Sequence, residues 1–312
     1  MSKKILLSGV KPTGAPHIGN YFGAMKQFVD MSREYECFIM IADYQEINFT
    51  QNAKEMHNNI IGVLFDYLAI GLDPEQVTIF KQSDVSEHTE LAWVFETLTT
   101  MPYLMRAHAF KDAEAKNKDI VVGTFNYPML MAADILLYDA DVVPVGQDQK
   151  QHIEIARDTA DKFNNVFGGE TFKLPEPIIM KSVAVVPGTD GQKMSKSYGN
   201  TIPLFAEYDE IKKAVMSIIT DSSRAIPENV FAIHKLFRDE AELKSIYEEK
   251  KGSYKELKEM LIEDIEKFIA PLREKRKKIE DDVVKAIEIL KTGGEKAKKI
   301  AFAKMEEVKE KI

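Results

Sequence analysis

Two short polar segments carry residue types suited to handling phosphate. The first, Pro16-His17-Ile18-Gly19-Asn20, follows the apolar run Ile5-Leu6-Leu7-Ser8 and a Gly/Pro-rich turn from Gly9 to Gly14. A helical pattern opens near Pro16 and runs past Phe28, which puts this segment at a helix N-terminus. Such an end presents unpaired N–H groups and the positive pole of the helix dipole, and so attracts anions. His17 and Asn20 stand three apart and share a helix face, where both can donate to phosphate oxygens. Gly19 lets a base or sugar come close to the backbone. The second segment, Lys193-Met194-Ser195-Lys196-Ser197, follows the turn Pro187-Gly188-Thr189-Asp190-Gly191. Two ammonium groups on such a loop can follow negative charge as it builds on a departing group. Each segment has a duller reading when taken singly. A histidine near a helix start is usually structural or exposed, and a Lys/Ser run is usually a solvated loop. Both together, each after an expected strand, point to one phosphate-handling site.

A third segment, Tyr127-Pro128-Met129-Leu130-Met131-Ala132-Ala133-Asp134-Ile135-Leu136-Leu137-Tyr138, reads as an apolar helix with Pro128 at its start. Asp134 is its one charged group and shares a face with Leu130, Met131, Leu137 and Tyr138. A carboxylate in such surroundings is costly unless paired. An internal arginine could pair with it, or it could cap another helix. A flat guest whose only polar ring group is a donor N–H, such as indole, would also satisfy it, with Met131 against the ring face.

These side chains need a frame. Cys37-Phe38-Ile39-Met40-Ile41-Ala42, Val77-Thr78-Ile79-Phe80, Val142-Val143-Pro144-Val145 and Val183-Ala184-Val185-Val186 read as further strands, and residues 53–70 as a helix ending at Gly71. Continuous apolar strands alternating with helices predict a parallel, doubly wound α/β sheet. The polar clusters Gly9–Asn20, Asp43–Glu46, Gly146–Gln149 and Pro187–Ser197 all follow strands, where such sheets bind ligands. Beyond about residue 203 the strand-like runs vanish and charged helices dominate, so two domains are expected, 1–203 and an all-helical 204–312. The basic run Arg273–Lys278, flanked by acids, reads as a solvated helix face.

The 312 residues and 45% hydrophobic content suit a folded chain rather than a disordered one. A single cysteine, Cys37, excludes an intrachain disulfide and a multi-cysteine metal cluster, and a reducing cytoplasmic setting is expected. No apolar run reaches the roughly 18–20 residues of a membrane span, so no membrane partner is expected. A net charge of −8 argues against indiscriminate nucleic-acid binding but leaves room for a local basic patch.

The first two segments resemble the HIGH-type and KMSKS signatures of class I aminoacyl-tRNA synthetases. The run from Tyr127 to Asn164, including Val143-Pro144-Val145-Gly146-Gln147-Asp148-Gln149, is similar to tryptophanyl-tRNA synthetases in particular. The similarity is specific over most of residues 5–205 and diffuse beyond. It implies a Rossmann-like catalytic domain with a dimer-forming insertion at 85–125, and a helical anticodon-recognition domain. It also implies a homodimer, with L-tryptophan, ATP, magnesium on the phosphates and tRNA(Trp) as partners. No metal site made by the protein itself is expected. Carried over position by position, His17, Asn20, Lys111, Lys193 and Lys196 would act on the phosphates. Lys11, Pro12, Thr13, Gly19, Gly146, Gln147, Asp148, Val186, Met194, Ser195 and Ser197 would flank ATP. Asp134 would accept the indole N–H, with Leu7, Tyr127, Met131, Val143, Val145 and Gln149 around the amino acid. The chain departs from many members at Lys11, where they carry Gln, and at Asp43-Tyr44-Gln45-Glu46, where they carry a His-Ala pair. Lys11 brings an extra positive charge near the phosphates, and Gln45 can hydrogen-bond but cannot switch charge.

Three rival readings stay open on the sequence. They are a tyrosine-specific synthetase, a small-molecule nucleotidyltransferase with a HIGH-type helix, and a catalytically dead paralogue that only binds RNA or a partner. The helix 127–138 lacks the further polar partners a phenol needs. The long helical segment is more than a small-molecule enzyme requires.

Overall fold

The computed structural model describes residues 3–115, 120–179, 186–220 and 226–312. Five strands, β1 (Ile5–Val10), β2 (Glu36–Ile41), β3 (Val77–Lys81), β4 (Val142–Val145) and β5 (Glu176–Ile179), form one sheet in the order β3-β2-β1-β4-β5, with every pairing parallel. The expected doubly wound sheet is present. The fifth strand is not the one expected: Glu176–Ile179 pairs with β4 in register from Val142↔Glu176 to Val145↔Ile179. Residues 183–185, read as a strand from sequence, lie outside the described residues.

Alternate side chains of β1 enter opposite apolar layers, with Leu6 on one face and Leu7 on the other. Both faces are therefore covered, which is why these strands read as unbroken apolar runs. Helix Ala53–Ile70 covers the Leu6 face through Val63, Leu64 and Leu68. Asn52 caps its start by accepting from the N–H groups of Lys54 and Glu55, and Gly71 ends it at φ 112°. Helix Val122–Leu136 covers the other face through Met129, Ala132 and Ala133. It begins at Val122, so Pro128 lies inside it rather than at its start. A proline there offers no N–H to the turn before it.

The C-terminal segment is helical as expected, but its last helix, Val283–Lys309, returns to the sheet. Ala297, Ala301, Met305 and Val308 pack into the same layer as Leu7 and Phe38. This helix covers β3, an edge strand whose outer backbone would otherwise be open to pairing. In the basic run, Arg273 and Arg276 turn inward rather than into solvent. Arg273 is 8% exposed and holds Glu266 and the Ala206 carbonyl, while Arg276 holds Asp66. Among the described residues, no helix is long and apolar enough to cross a membrane.

Candidate active site

β1 lies between β2 and β4, so successive connections leave in opposite directions at its carboxyl end and a crevice opens there. A cavity of about 880 Å³ occupies that position. Leu7, Lys11, Thr13, Asn20, Tyr127, Met131, Asp134, Val143, Val145, Gly146, Gln149 and Lys196 line it, all named from sequence. The cavity joins residues of the segments 16–20 and 193–197 to the Asp134 helix, as their positions after strands led one to expect.

The helix after β1 is built as Ile18–Asn20, a π-helical Tyr21–Met25, and Lys26–Met31. His17 caps it. Its Nδ1 accepts the Asn20 N–H at 3.2 Å, and Asn20 Oδ1 accepts the His17 N–H at 3.0 Å. Nδ1 is thus an acceptor, which leaves Nε2 as the protonated, donating nitrogen. Burial, helped by the nearby Lys196 charge, pushes the His17 pKa down to about 4. At neutral pH this ring is an uncharged donor. Gly19 is required by His17 itself, because a Cβ there would sit 2.9 Å from His17 Nδ1.

The second signature is anchored to the first. Ile18 N–H donates to the Ile202 carbonyl at 3.0 Å, and Leu204 N–H donates to the Pro16 carbonyl at 3.0 Å. Met194 is buried and donates from its N–H to the Val186 carbonyl, so these two residues root the loop in the core rather than line the cavity. Asn200, which the sequence reading missed, organises the rest. Its side chain accepts from Ser195 N–H at 2.8 Å and donates to the Lys193 carbonyl and to Asp190. Ser195 and Ser197 hydroxyls meet at 2.9 Å. Lys196 reaches across to the first loop and donates to the carbonyls of Thr13 and Gly14, both at 3.0 Å. Lys193 is exposed beside it. Burial lowers the Lys196 pKa, and Asp66 opposes that.

Of the other residues named from sequence, Pro12, His17, Gly19, Lys111, Gln147, Lys193, Ser195 and Ser197 lie outside the cavity lining. Lys111 is exposed on helix His108–Ala115, next to Asp112, which does line it. Asp148 falls in the short turn Gln147–Gln149, and its side chain lies outside the described residues. Lys11 rests its ammonium 4.4 Å from the centre of the Phe49 ring, and burial lowers its pKa against the pull of Glu46.

Asp134 is 2% exposed, and the protein partners it has are neither the internal arginine nor the helix cap that the sequence left open. Gln82 Nε2 donates to its Oδ1 at 2.7 Å, and Gln45 Nε2 donates to its Oδ2 at 3.2 Å. His88 Nδ1 lies 2.7 Å from Oδ1, close enough for an ion pair but without straight hydrogen-bond geometry. No arginine reaches it among the described residues. The polypeptide therefore meets most of the cost of burying this group. Tyr127, expected beside the amino acid, meets His152 Nε2 at 2.9 Å, and burial raises its phenol to about 12. The segment 85–125, expected to form a dimer contact, divides. Leu91 and Phe95 are buried, whereas Trp93 is 68% exposed.

A helix start and a loop lysine, Lys196, at one crevice of a parallel sheet define a class I synthetase site, and the family of tRNA synthetases class I for tryptophan and tyrosine matches residues 2–286. The chain belongs to that family, and within it to the tryptophan–tRNA ligases. It is 47% identical to the tryptophan–tRNA ligase of Fusobacterium nucleatum, over 97% of this chain and 96% of that one. It is 44% identical to that of Rhodopirellula baltica, over 95% of each. The crystal structure of tryptophanyl-tRNA synthetase from Campylobacter jejuni, complexed with ADP and tryptophan, superposes with a TM-score of 0.92 at 43% identity, covering 98% of this chain and 99% of that one.

Proposed function

We propose that the chain activates L-tryptophan with ATP, forming tryptophanyl-adenylate and pyrophosphate, and transfers the tryptophanyl group to tRNA(Trp). One observation carries this reading: Asp134 and Lys196 line the same cavity, so an indole acceptor and a phosphate cation share one enclosure. A tryptophan seated with its ring at Asp134 and Met131 would extend its carboxylate toward the Lys11–Gly14 loop. That carboxylate attacks the α-phosphorus of ATP, the bond to the β-phosphate oxygen breaks, and pyrophosphate leaves. Such a step needs positioning and charge stabilisation more than a side-chain nucleophile.

The neutral His17 donates from Nε2, and Lys193 and Lys196 meet the charge on the departing pyrophosphate. Lys196 can exchange its two carbonyl acceptors for phosphate oxygens. Lys111 would approach the triphosphate from helix His108–Ala115. Among the described residues there is no group of three His, Cys, Asp or Glu side chains able to hold a metal. Magnesium would then be carried by the phosphate oxygens, where it neutralises charge.

The helices beyond residue 204 supply the anticodon contact. A second copy of the chain covers the exposed Trp93, Met101 and Met105 (68%, 66% and 45% exposed) in a symmetric dimer.

ATP–pyrophosphate exchange with each of the twenty amino acids tests the reading. Exchange with tryptophan alone is expected. Exchange with tyrosine alone, or with none in a folded sample, would overturn it.

A further inference from the structure

The amide groups of Gln45 and Gln82 touch Asp134 from the ends of two different strands; Gln45 stood out in the sequence only as a departure from the family pattern, and Gln82 not at all. Gln82 follows β3 and is 0% exposed, while Gln45 follows β2 and is 6% exposed. Their arrangement has only one sense. Gln82 Oε1 accepts the Gln45 backbone N–H at 3.3 Å, so its Nε2 is the end left to face Asp134. The turn carrying Gln82 is held in place in turn, because Ser83 N–H donates to Asp43 Oδ1 at 3.0 Å. Behind Asp134, His88 is 0% exposed and its Nε2 meets the Tyr138 hydroxyl at 2.9 Å.

An amide nitrogen only donates. Two of them on one carboxyl group fix its rotation about the Cβ–Cγ bond and commit it to accepting. A carboxylate has about four acceptor positions. Gln82 takes one position on Oδ1, where His88 Nδ1 also crowds in at 2.7 Å, and Gln45 takes one position on Oδ2. A lone pair on Oδ2 therefore remains, on a residue that lines the cavity.

We infer that Gln82 and Gln45 are positioning residues for substrate choice, aiming the open acceptor on Oδ2 of Asp134 at a guest that brings a ring N–H. Resting on the tryptophan reading above, this adds what makes the carboxylate selective: the amide pair admits a donor and leaves an acceptor or a bare ring edge unmatched. The claim concerns selectivity, so its signature is a ratio between two guests rather than a loss of activity.

The probes are tryptophan and its benzothienyl analogue, in which sulfur replaces the ring N–H and little else changes. The measurement is kcat/KM for ATP–pyrophosphate exchange with each. The unaltered protein should favour tryptophan strongly, as sites built on a buried hydrogen bond do. No preference there would sink the Asp134–indole reading itself, and this inference with it. Gln82→Met keeps the length and removes the donor. It should lower the tryptophan-to-analogue ratio by about tenfold or more, the scale of a hydrogen bond to a charged group, while the analogue's own kcat/KM changes little. An unchanged ratio in a protein that does discriminate, even with both values reduced, would make Gln82 merely structural and overturn the inference. If Gln82→Met does not fold by thermal melting, Gln45→Met replaces it: a lowered ratio supports the inference and an unchanged one overturns it.

Discussion

Arg276, on the long helix Tyr254–Asp281, places its Nε 2.6 Å from Oδ1 of Asp66, on helix Ala53–Ile70. The acid is 3% exposed and lines the cavity, and the arginine also lies over the Phe65 and Phe205 rings. Burial raises the Asp66 pKa to about 6, with Arg276 as the main opposing influence. Asp66 in turn supports the charged form of Lys196. A residue of the C-terminal helices thus helps keep a carboxylate charged near the signature lysine.

Arg276→Ala leaves that carboxylate buried without its partner. Breaking one side of a buried pair costs several kcal/mol, and the 22% exposure of the Arg276 side chain puts the loss at the low end, about 3 kcal/mol. Urea titration at pH 7 measures it. A loss below about 1 kcal/mol would show that the pair is screened like a surface one.

Lys196→Ala removes the cation that spans from the second signature to the carbonyls of Thr13 and Gly14. The exchange kcat should fall more than about tenfold, or about 1.4 kcal/mol of barrier, with KM for ATP changed much less. A raised KM at constant kcat would place Lys196 in ground-state binding instead.

The depressed His17 pKa fixes a sign. The folded ring takes up a second proton only below about 4, whereas the unfolded ring does so below its ordinary value of 6.5. Stability from this group is therefore complete above about pH 6.5 and is lost progressively as pH falls toward 4. In His17→Gln the decline of unfolding free energy between pH 6.5 and 4 should be shallower than in the unaltered protein. Imidazole nitrogen shifts followed by NMR should show His17 neutral at pH 5.5. A midpoint near 6.5 would contradict the capping geometry.

Strands β1 to β4 were legible because burial on both faces leaves an unbroken apolar run, and helix Ala53–Ile70 because its apolar residues recur at helical spacing up to Gly71. β5 was not. As an edge strand it is only partly covered, so it tolerates Glu176 and Pro177 and carries no apolar run. The position of the cavity was readable from polar residues that follow strands. The support of Asp134 was not, because Gln45, Gln82 and His88 come from three separate segments and neutral amides leave no periodic trace. Charge runs misled for a related reason: composition does not say which arginines of 273–278 turn toward a buried acid.

Two adjacent glycines on the last helix separate a backbone contact from a merely open surface. A Cβ on Gly293 would fall 1.9 Å from the carbonyl oxygen of Ile79, in the middle of β3. That oxygen belongs to the sheet and cannot move aside, so Gly293→Ala must push the helix off the edge strand it covers. About 3 kcal/mol should be lost, the upper part of the range for overpacking a fixed site. At Gly294 the nearest atoms to an added Cβ are Cβ and Oδ2 of Asp84 at 3.4 Å, an ordinary contact. Gly294→Ala should then gain up to about 1 kcal/mol, the difference in helix preference between the two residues. Urea titration of both variants, side by side, gives opposite signs if the helix lies on β3 as described. Two small changes of the same sign would mean that the helix stands off the sheet, leaving the β3 edge uncovered.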